Sequence, residues 1–449
     1  MTTPPPPPPA AGPVFPAGTP AAPVAAGRAG QLVPPPPGPV TPGPAIPAAG
    51  VAPTPVPAPA RGAAPAAAKV RISGVDVARA VAIIGMLVAH LGTGHHASGG
   101  GWGEQWMWIF DGRSSALFAT LAGVSIALMS RRARGLGPVP PLAPGPLPPQ
   151  RVAWRSVRVK IAVRAAILLP IGIALQALGT PVVIILPTYA VLFFMALPVL
   201  RLSTRWLVAI IAAAVTIGPL VVLGLREATT GTVQPSLVEF GFGVGELVWG
   251  YYPALVWIGY LLAGLVMGRG NLASPRYAAT LLGLGTALAA VGYGLGVLLQ
   301  GVWANSAYAP DYLFWPDVLV STEPHAGSTF EVVGNLGVAV AVTGLCLLLT
   351  TPRIGATLLW PLATAGAMSL TIYAGQIVVI AILGPMAVFY PESNVPLLAL
   401  ALGSIVFACV WRPLLGQGPL ERLLKLASDA AARRTELRAQ LPPPPGWVR

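Results

Sequence analysis

The sequence predicts an all-α, polytopic membrane helix bundle of about ten transmembrane helices with both termini in the cytoplasm. Three observations predict it. Ten apolar stretches lie between residues 73 and 411, the connections between them alternate in charge, and 55% of the 449 residues are hydrophobic against 9% charged. A chain so poor in charge cannot cover a soluble domain of this length.

The stretches are 73–92, 107–129, 158–178, 181–200, 205–225, 247–267, 277–299, 331–350, 358–383 and 395–411. A hydrocarbon slab takes about 20 residues of helix, with every backbone polar group satisfied inside the helix. The basic connections hold Arg131, Arg132, Arg134, Arg151 and Arg155, then Arg201 and Arg205, then Arg269 and Arg276, then Arg353, then the tail from Arg412. Those are expected to face the cytoplasm. The others hold Glu104, then Glu227, Glu239 and Glu246, then Asp311, Asp317 and Glu323, then Glu392, with Arg226 their one basic residue, and are expected to face outward. An even number of spans then returns both ends to the inside, as Arg61, Lys69 and Arg71 before the first stretch require.

Residues 1–67 are mostly Pro, Ala, Gly and Val and read as a disordered cytoplasmic arm, followed by a transmembrane domain over 68–426 and a cytoplasmic tail over 427–449. Proline-rich runs at 135–150 and 442–445 serve either as tethers or as docking sites for a proline-recognising partner. The formal charge of +13 lies in the inner loops and tails, so the positive-inside bias accounts for it and no nucleic-acid partner is expected. Cys346 and Cys409 sit in apolar stretches as packing residues. No Walker loop, HExxH or CxxC is present, and no metal site is expected. Gly264 with Gly268, and Gly292 with Gly296, read as points of close helix packing. The excess of arginine over lysine points to a GC-rich bacterial genome, and hence to the bacterial inner membrane.

Residues 71–132 carry the chemistry. They hold three of the four histidines and an Asp and Arg pair at the head of the second stretch. Arg79 and His90 are eleven residues apart, so they share one face of the first helix about 16 Å from each other. Asp76 stands one turn below Arg79, at a spacing that allows an ion pair. Counted from the cytoplasmic end, His90 and Asp111 both lie about 27 Å up, near the outer boundary, where they can meet. Arg113 points to another side of its helix than Asp111. His95 and His96 follow in a glycine-rich loop, either as exposed loop residues or as catalysts, ahead of Trp102, Trp106 and Trp108, an interfacial belt. His325 is either loop filler or a second wall of the outer site. Ser328 and Glu331 have capping-box spacing, which makes Glu331 structural. Ser369, Tyr373 and Gln376 form a polar stripe facing the bundle interior, for substrate contact or interhelical hydrogen bonds.

At these residues the chain resembles the transmembrane acyltransferase group that contains heparan-alpha-glucosaminide N-acetyltransferase and the YeiB-like bacterial membrane proteins. The resemblance spans residues 71–426. It is carried by Arg71 to Arg79 (RISGVDVAR), His96-Ala97-Ser98, Asp111 to Phe118 (DGRSSALF), Ser369 to Tyr373 (SLTIY) and Gly418 to Glu421 (GPLE). It implies acetyl transfer from cytosolic acetyl-CoA to an amino sugar across the membrane, with a histidine of the first lumenal loop handling the group; that role falls on His96. The related acyltransferase-three family has an Arg, ten residues and a His in its first helix, which nominates His90 with Arg79. Ala367 stands where YeiB-like chains often carry arginine, so this chain lacks that cation.

The reading is therefore an inner-membrane acyltransferase that passes an acetyl group from cytoplasmic acyl-CoA to a cell-envelope sugar or glycolipid on the outer face. His90 or His96 with Asp111 would act on the acceptor, and Arg79, Arg113, His325, Tyr373 and Gln376 would contact substrate. Membrane lipid is the expected surrounding, and a homodimer is left open. The rival from another class is a transporter or lipid translocator, whose sites belong near the bilayer midplane. A third reading is a non-catalytic assembly protein acting through the proline-rich arm.

Overall fold

A computed structural model describes residues 72–93, 103, 105–135, 150–228, 244–248, 250–304 and 319–440. The arm over 1–67, together with His95 and His96, lies outside the described residues.

The long helices are α1 (Ser73–Leu91), α2 (Arg113–Ser130), α3 (Gln150–Gln176), α4 (Leu186–Val199), α5 (Thr204–Ala228) and α6 (Ala254–Met267). They continue with α7 (Pro275–Ala304), α8 (Thr329–Leu349), α9 (Trp360–Gly366), α10 (Ser369–Leu383), α11 (Val395–Leu415) and α12 (Pro419–Gln440). A 3-10 turn over Met107–Phe110 leads into α2. No strand occurs among the described residues.

Seven of these elements are long and apolar enough to cross a membrane, and eight if α9 and α10, bent by 78°, form one broken span. The protein is a multi-pass membrane protein. Its large exposed side chains agree: Val291, Leu298 and Val302 on α7 and Leu402, Val406 and Val410 on α11 stand open, a cover that water would not tolerate but lipid requires.

Each of the ten predicted stretches contains a helix, but two are shorter than expected. α4 and α6 have 14 residues each, about 21 Å of helix against a slab of about 30 Å. Local chemistry sets both starts. Gly179 at φ 65° and Pro181 keep the chain before α4 out of helix, and Pro187 takes the first turn, where its missing N–H costs nothing. Pro253 is the N-cap of α6, which leaves Tyr251 and Tyr252 outside it.

The predicted glycine contacts hold these helices together. A Cβ on Gly123 would overlap the Leu261 carbonyl, and one on Gly264 the Thr120 carbonyl, so α2 and α6 touch backbone to backbone. Gly285, Gly292 and Gly337 do the same for α7 and α8. Of the two cysteines, Cys346 is buried and Cys409 half-buried.

α12 runs through residue 426, so the boundary drawn there falls within a helix. It lies against α3 through Lys160 to Asp429 at 2.7 Å and Ser156 to Glu436 at 2.8 Å. Its Glu421 accepts the Leu370 and Thr371 N–H groups at 2.7 and 3.1 Å, capping the start of α10. Two of the sequence motifs, Ser369 to Tyr373 and Gly418 to Glu421, are thus the two sides of one cap.

Candidate functional site

The first helix sets the scaffold. Arg79 donates to Asp76 Oδ1 at 2.8 Å, the predicted ion pair, and to Ser125 Oγ of α2 at 2.6 Å. An intramembrane cation is thereby offset and ties α1 to α2. Eleven residues further on, in the last turn of α1, His90 reaches a small chamber of about 30 Å³. That is about one water's share of liquid volume.

The chamber gathers residues from the whole chain. His90 and Met86 come from α1, Phe110, Gly112 and Ser114 from the entry to α2, Val183 and Ile185 from the segment before α4, and Tyr252 from the segment before α6. His325 comes from the loop before α8, and Tyr373 from α10 just past the 78° bend. The structure therefore brings His90, His325 and Tyr373 together. Tyr373 Oη accepts the Ile185 N–H at 3.4 Å, which leaves its own proton free to be donated elsewhere.

Asp111 is partly buried at the end of the 3-10 turn, its N–H on the Trp108 carbonyl at 3.2 Å, next in sequence to the chamber-lining Gly112 but not on the lining itself. Gly112 has φ 68°, and a Cβ there would come within 3.4 Å of the Glu331 carboxylate. The turn needs glycine. Arg113 points away, its guanidinium 4.8 Å over the Tyr293 ring and 5.3 Å over Trp108, and donates to the Trp108 carbonyl at 3.1 Å.

His325 is held by its backbone. Its φ is 65°, a conformation a non-glycine residue keeps only when its surroundings fix it. The Glu331 carboxylate does so: it accepts the His325 and Gly327 N–H groups at 2.7 Å each and the Asn335 amide at 2.9 Å. Ser328 Oγ accepts the Glu331 N–H at 3.0 Å, so the expected cap is present. Tyr293 donates to Asn335 Oδ1 at 2.6 Å, which links Arg113 through Tyr293, Asn335 and Glu331 to the His325 loop. The His325 ring packs 4.4 Å from Tyr251 and 5.6 Å from Tyr252. Burial among them lowers its pKa from 6.5 to about 4, so it is a neutral imidazole near neutral pH.

Gln376 is buried, as the polar stripe predicts, but does not line the chamber, and its amide nitrogen has no partner among the described residues. His96 lies outside the described residues. Among those residues, no three His, Cys, Asp or Glu side chains are grouped to hold a metal ion.

Sequence reasoning missed Tyr251, Tyr252 and a second, larger pocket of about 260 Å³ beside the chamber. It is lined by Pro219, Val222, Leu223 and Arg226 of α5, by Gly250, Tyr251 and Pro253, by Leu319, and by His325 to Ser328. The signal available was the charge-free Tyr-Tyr-Pro break before α6, too short to stand out alone.

Residues 71–292 match the family described as heparan-alpha-glucosaminide N-acetyltransferase, catalytic, and residues 285–430 match the family described as protein of unknown function (DUF418). No curated protein and no solved structure matches the chain. The first match covers every chamber residue except His325 and Tyr373, which fall in the second, so the two families meet at this site.

Proposed function

We propose, for a chain in which a heparan-alpha-glucosaminide N-acetyltransferase catalytic region runs on into a DUF418 region, the YeiB-like pairing that the sequence resembles, that membrane acetyl transfer takes place at the His90 chamber. The donor is cytoplasmic acetyl-CoA, and the acceptor is a hydroxyl or amine of a sugar or glycolipid on the outer face of a bacterial inner membrane. The topology expected from the charge pattern, ten spans with both ends inside, would turn the chamber toward that outer face.

The observation that carries the reading is where the helices break. Non-helical backbone at membrane depth persists only where protein buries it or a cavity is lined by it. The 3-10 turn before α2, the segments before α4 and α6, and the α9 to α10 bend all deliver residues to one chamber containing His90.

Two routes use these groups. In the first, a histidine takes the acceptor proton as the acceptor oxygen or nitrogen attacks the thioester carbonyl, the C–S bond breaks and CoA leaves with the electron pair as thiolate. In the second, the imidazole nitrogen attacks the carbonyl and expels CoA thiolate, and the acceptor then displaces the histidine from the acyl-imidazole. Tyr373, its oxygen already accepting from Ile185, can donate its proton to the carbonyl oxygen where charge develops. His325, its pKa lowered to about 4 by burial, is a weaker base than an ordinary imidazole and serves as a wall of the site. His96 is the other candidate for the base, with Asp111 setting the tautomer. Arg79 and Arg113 are candidates for an anionic part of donor or acceptor. At about 30 Å³ the chamber has room for about one water, so transfer requires it to widen.

The test is acetyl-CoA consumption by purified protein in nanodiscs with amino sugars and alkyl glycosides, in wild type and in the single and double alanine variants of His90 and His96. Loss in the double variant, and in one of the singles, supports the reading. Full turnover in the double variant overturns it. No consumption at millimolar donor favours the translocator, which lipid-flip assays in proteoliposomes would then report.

A further inference from the structure

Beside the chamber lies the pocket of about 260 Å³, and His325 is the one residue among those described that lines both. Tyr251 packs tilted against its ring from the pocket side and Tyr252 edge-on from the chamber side, so three rings in mutual contact form the partition. We infer that this pocket is the acceptor subsite, shaped for one sugar ring carried on a lipid, and that the reacting group of that ring reaches His90 past His325. This rests on the acetyl-transfer reading and narrows its acceptor.

Size, surface and shape select the ligand. At about 260 Å³ the pocket falls just under the roughly 300 Å³ where small-molecule sites begin, enough for one ring and not for a chain of them. The Tyr251 ring, half exposed, offers a flat electron-rich face of the kind that takes the weakly positive C–H side of a pyranose. Arg226 and Ser328 supply polar contacts at the same wall. Arg226 donates to the Val248 and Gly250 carbonyls at 3.0 and 3.1 Å, which pins α5 to the segment bearing Tyr251 and leaves the pocket pre-formed.

The remaining wall is apolar. Pro219, Val222 and Leu223 line it, and on the same helix Leu220 and Val221 are exposed to the surroundings at 45% and 42%. A free sugar has no use for such an apolar wall. An alkyl chain attached to the ring would run along it into the lipid.

Full-length protein in nanodiscs prepared without glycoside detergent is titrated calorimetrically with octyl β-D-glucosaminide, with free glucosamine and with octanol, in the absence of acetyl-CoA. The octyl glycoside should bind at least tenfold more tightly than either fragment. Leu223→Trp, which fills the pocket, and Tyr251→Ala, which removes its aromatic face, should each weaken that binding at least tenfold; if one variant melts early, the other decides. Unchanged binding in the properly folded variants overturns the subsite. Equal affinity for free glucosamine overturns the lipid-borne part, and equal affinity for octanol overturns the sugar part. Binding that Leu223→Trp abolishes, in a protein that never acetylates, sinks the transferase reading while leaving the subsite. Acetylation with an acceptor KM unmoved by Leu223→Trp sinks the subsite alone.

Discussion

Lowering the pH from 7.5 to 5 should loosen the loop that carries His325 before it unfolds the bundle. Burial lowers the ring's pKa from 6.5 to about 4 in the native state, while in an opened loop it titrates at its ordinary value. The native pKa is the lower one, so between the two values the opened state binds more protons and stability rises with pH. The contribution is whole above pH 6.5, declines as the pH falls toward 4, and levels off below. At pH 5 the opened ring has been protonated over about 1.5 pH units, which at about 1.36 kcal/mol per unit is about 2 kcal/mol, or about a 30-fold change in the opening equilibrium. Amide exchange of peptides covering 319–331, corrected for the intrinsic rate, should report that loss. The rings against His325, Tyr251 and Tyr252, stay uncharged throughout this range, and the Glu331 carboxylate meets its backbone N–H, so any part of the slope belonging to Glu331 survives removal of the imidazole. His325→Asn supplies that control, since asparagine tolerates the left-handed φ of 65°. Equal pH slopes in wild type and His325→Asn would refute the reasoning.

Three further outcomes follow from the packing. Glu421→Ala removes the acceptor for the Leu370 and Thr371 N–H groups and for the Thr371 hydroxyl, and should cost about 1–2 kcal/mol, read as a lower melting temperature and faster exchange at the start of α10. Gly264→Ala places a methyl into the Thr120 carbonyl and should break the α2 to α6 contact, seen as loss of a monodisperse folded fraction. Gly283→Ala on α7, with open space at that position, should leave the protein unchanged or raise its stability by about 0.5–1 kcal/mol. A Gly264→Ala protein as stable as wild type would mean that α2 and α6 do not touch as the structure has them.

What was legible beforehand was local. Asp76 with Arg79 and Ser328 with Glu331 are three residues apart, and one turn of helix dictates what such pairs do. The glycines at 264, 268, 292 and 296 were legible for the same reason, since in a membrane helix small residues mark close approach. The chamber was not. His325 and Tyr373 come to His90 from more than 200 positions away, and no periodicity carries that information. His325 had two meanings in the sequence, filler or second wall, and only packing against Tyr251 and Tyr252 separates them.

The helix boundaries that sequence reasoning placed too early are themselves informative. Residues 181–185 and 250–253 lie within stretches that hydropathy reads as helix, yet both stand outside helices beside a proline and supply Val183, Ile185 and Tyr252 to the chamber and Tyr251 to the pocket. Each non-helical residue at membrane depth gives up intrahelical hydrogen bonds that lipid cannot replace, a cost of several kcal/mol per unsatisfied group. A fold meets such costs at several places at once only where they converge on something other than stability. Helix α8 shows the contrast. Its N-terminus is capped by Ser328, the loop before it is tied by one carboxylate, and the element begins within two residues of where its pattern starts. The breaks before α4 and α6 have no side-chain cap of that kind, and Ile185 N–H goes instead to Tyr373 Oη across the chamber. That one bond makes the start of α4 and the position of Tyr373 depend on each other. Tyr373→Phe therefore removes both the partner of Ile185 and the proposed donor to the carbonyl oxygen, and Ile185 exchange together with turnover in that variant would show whether the broken helix serves the chemistry.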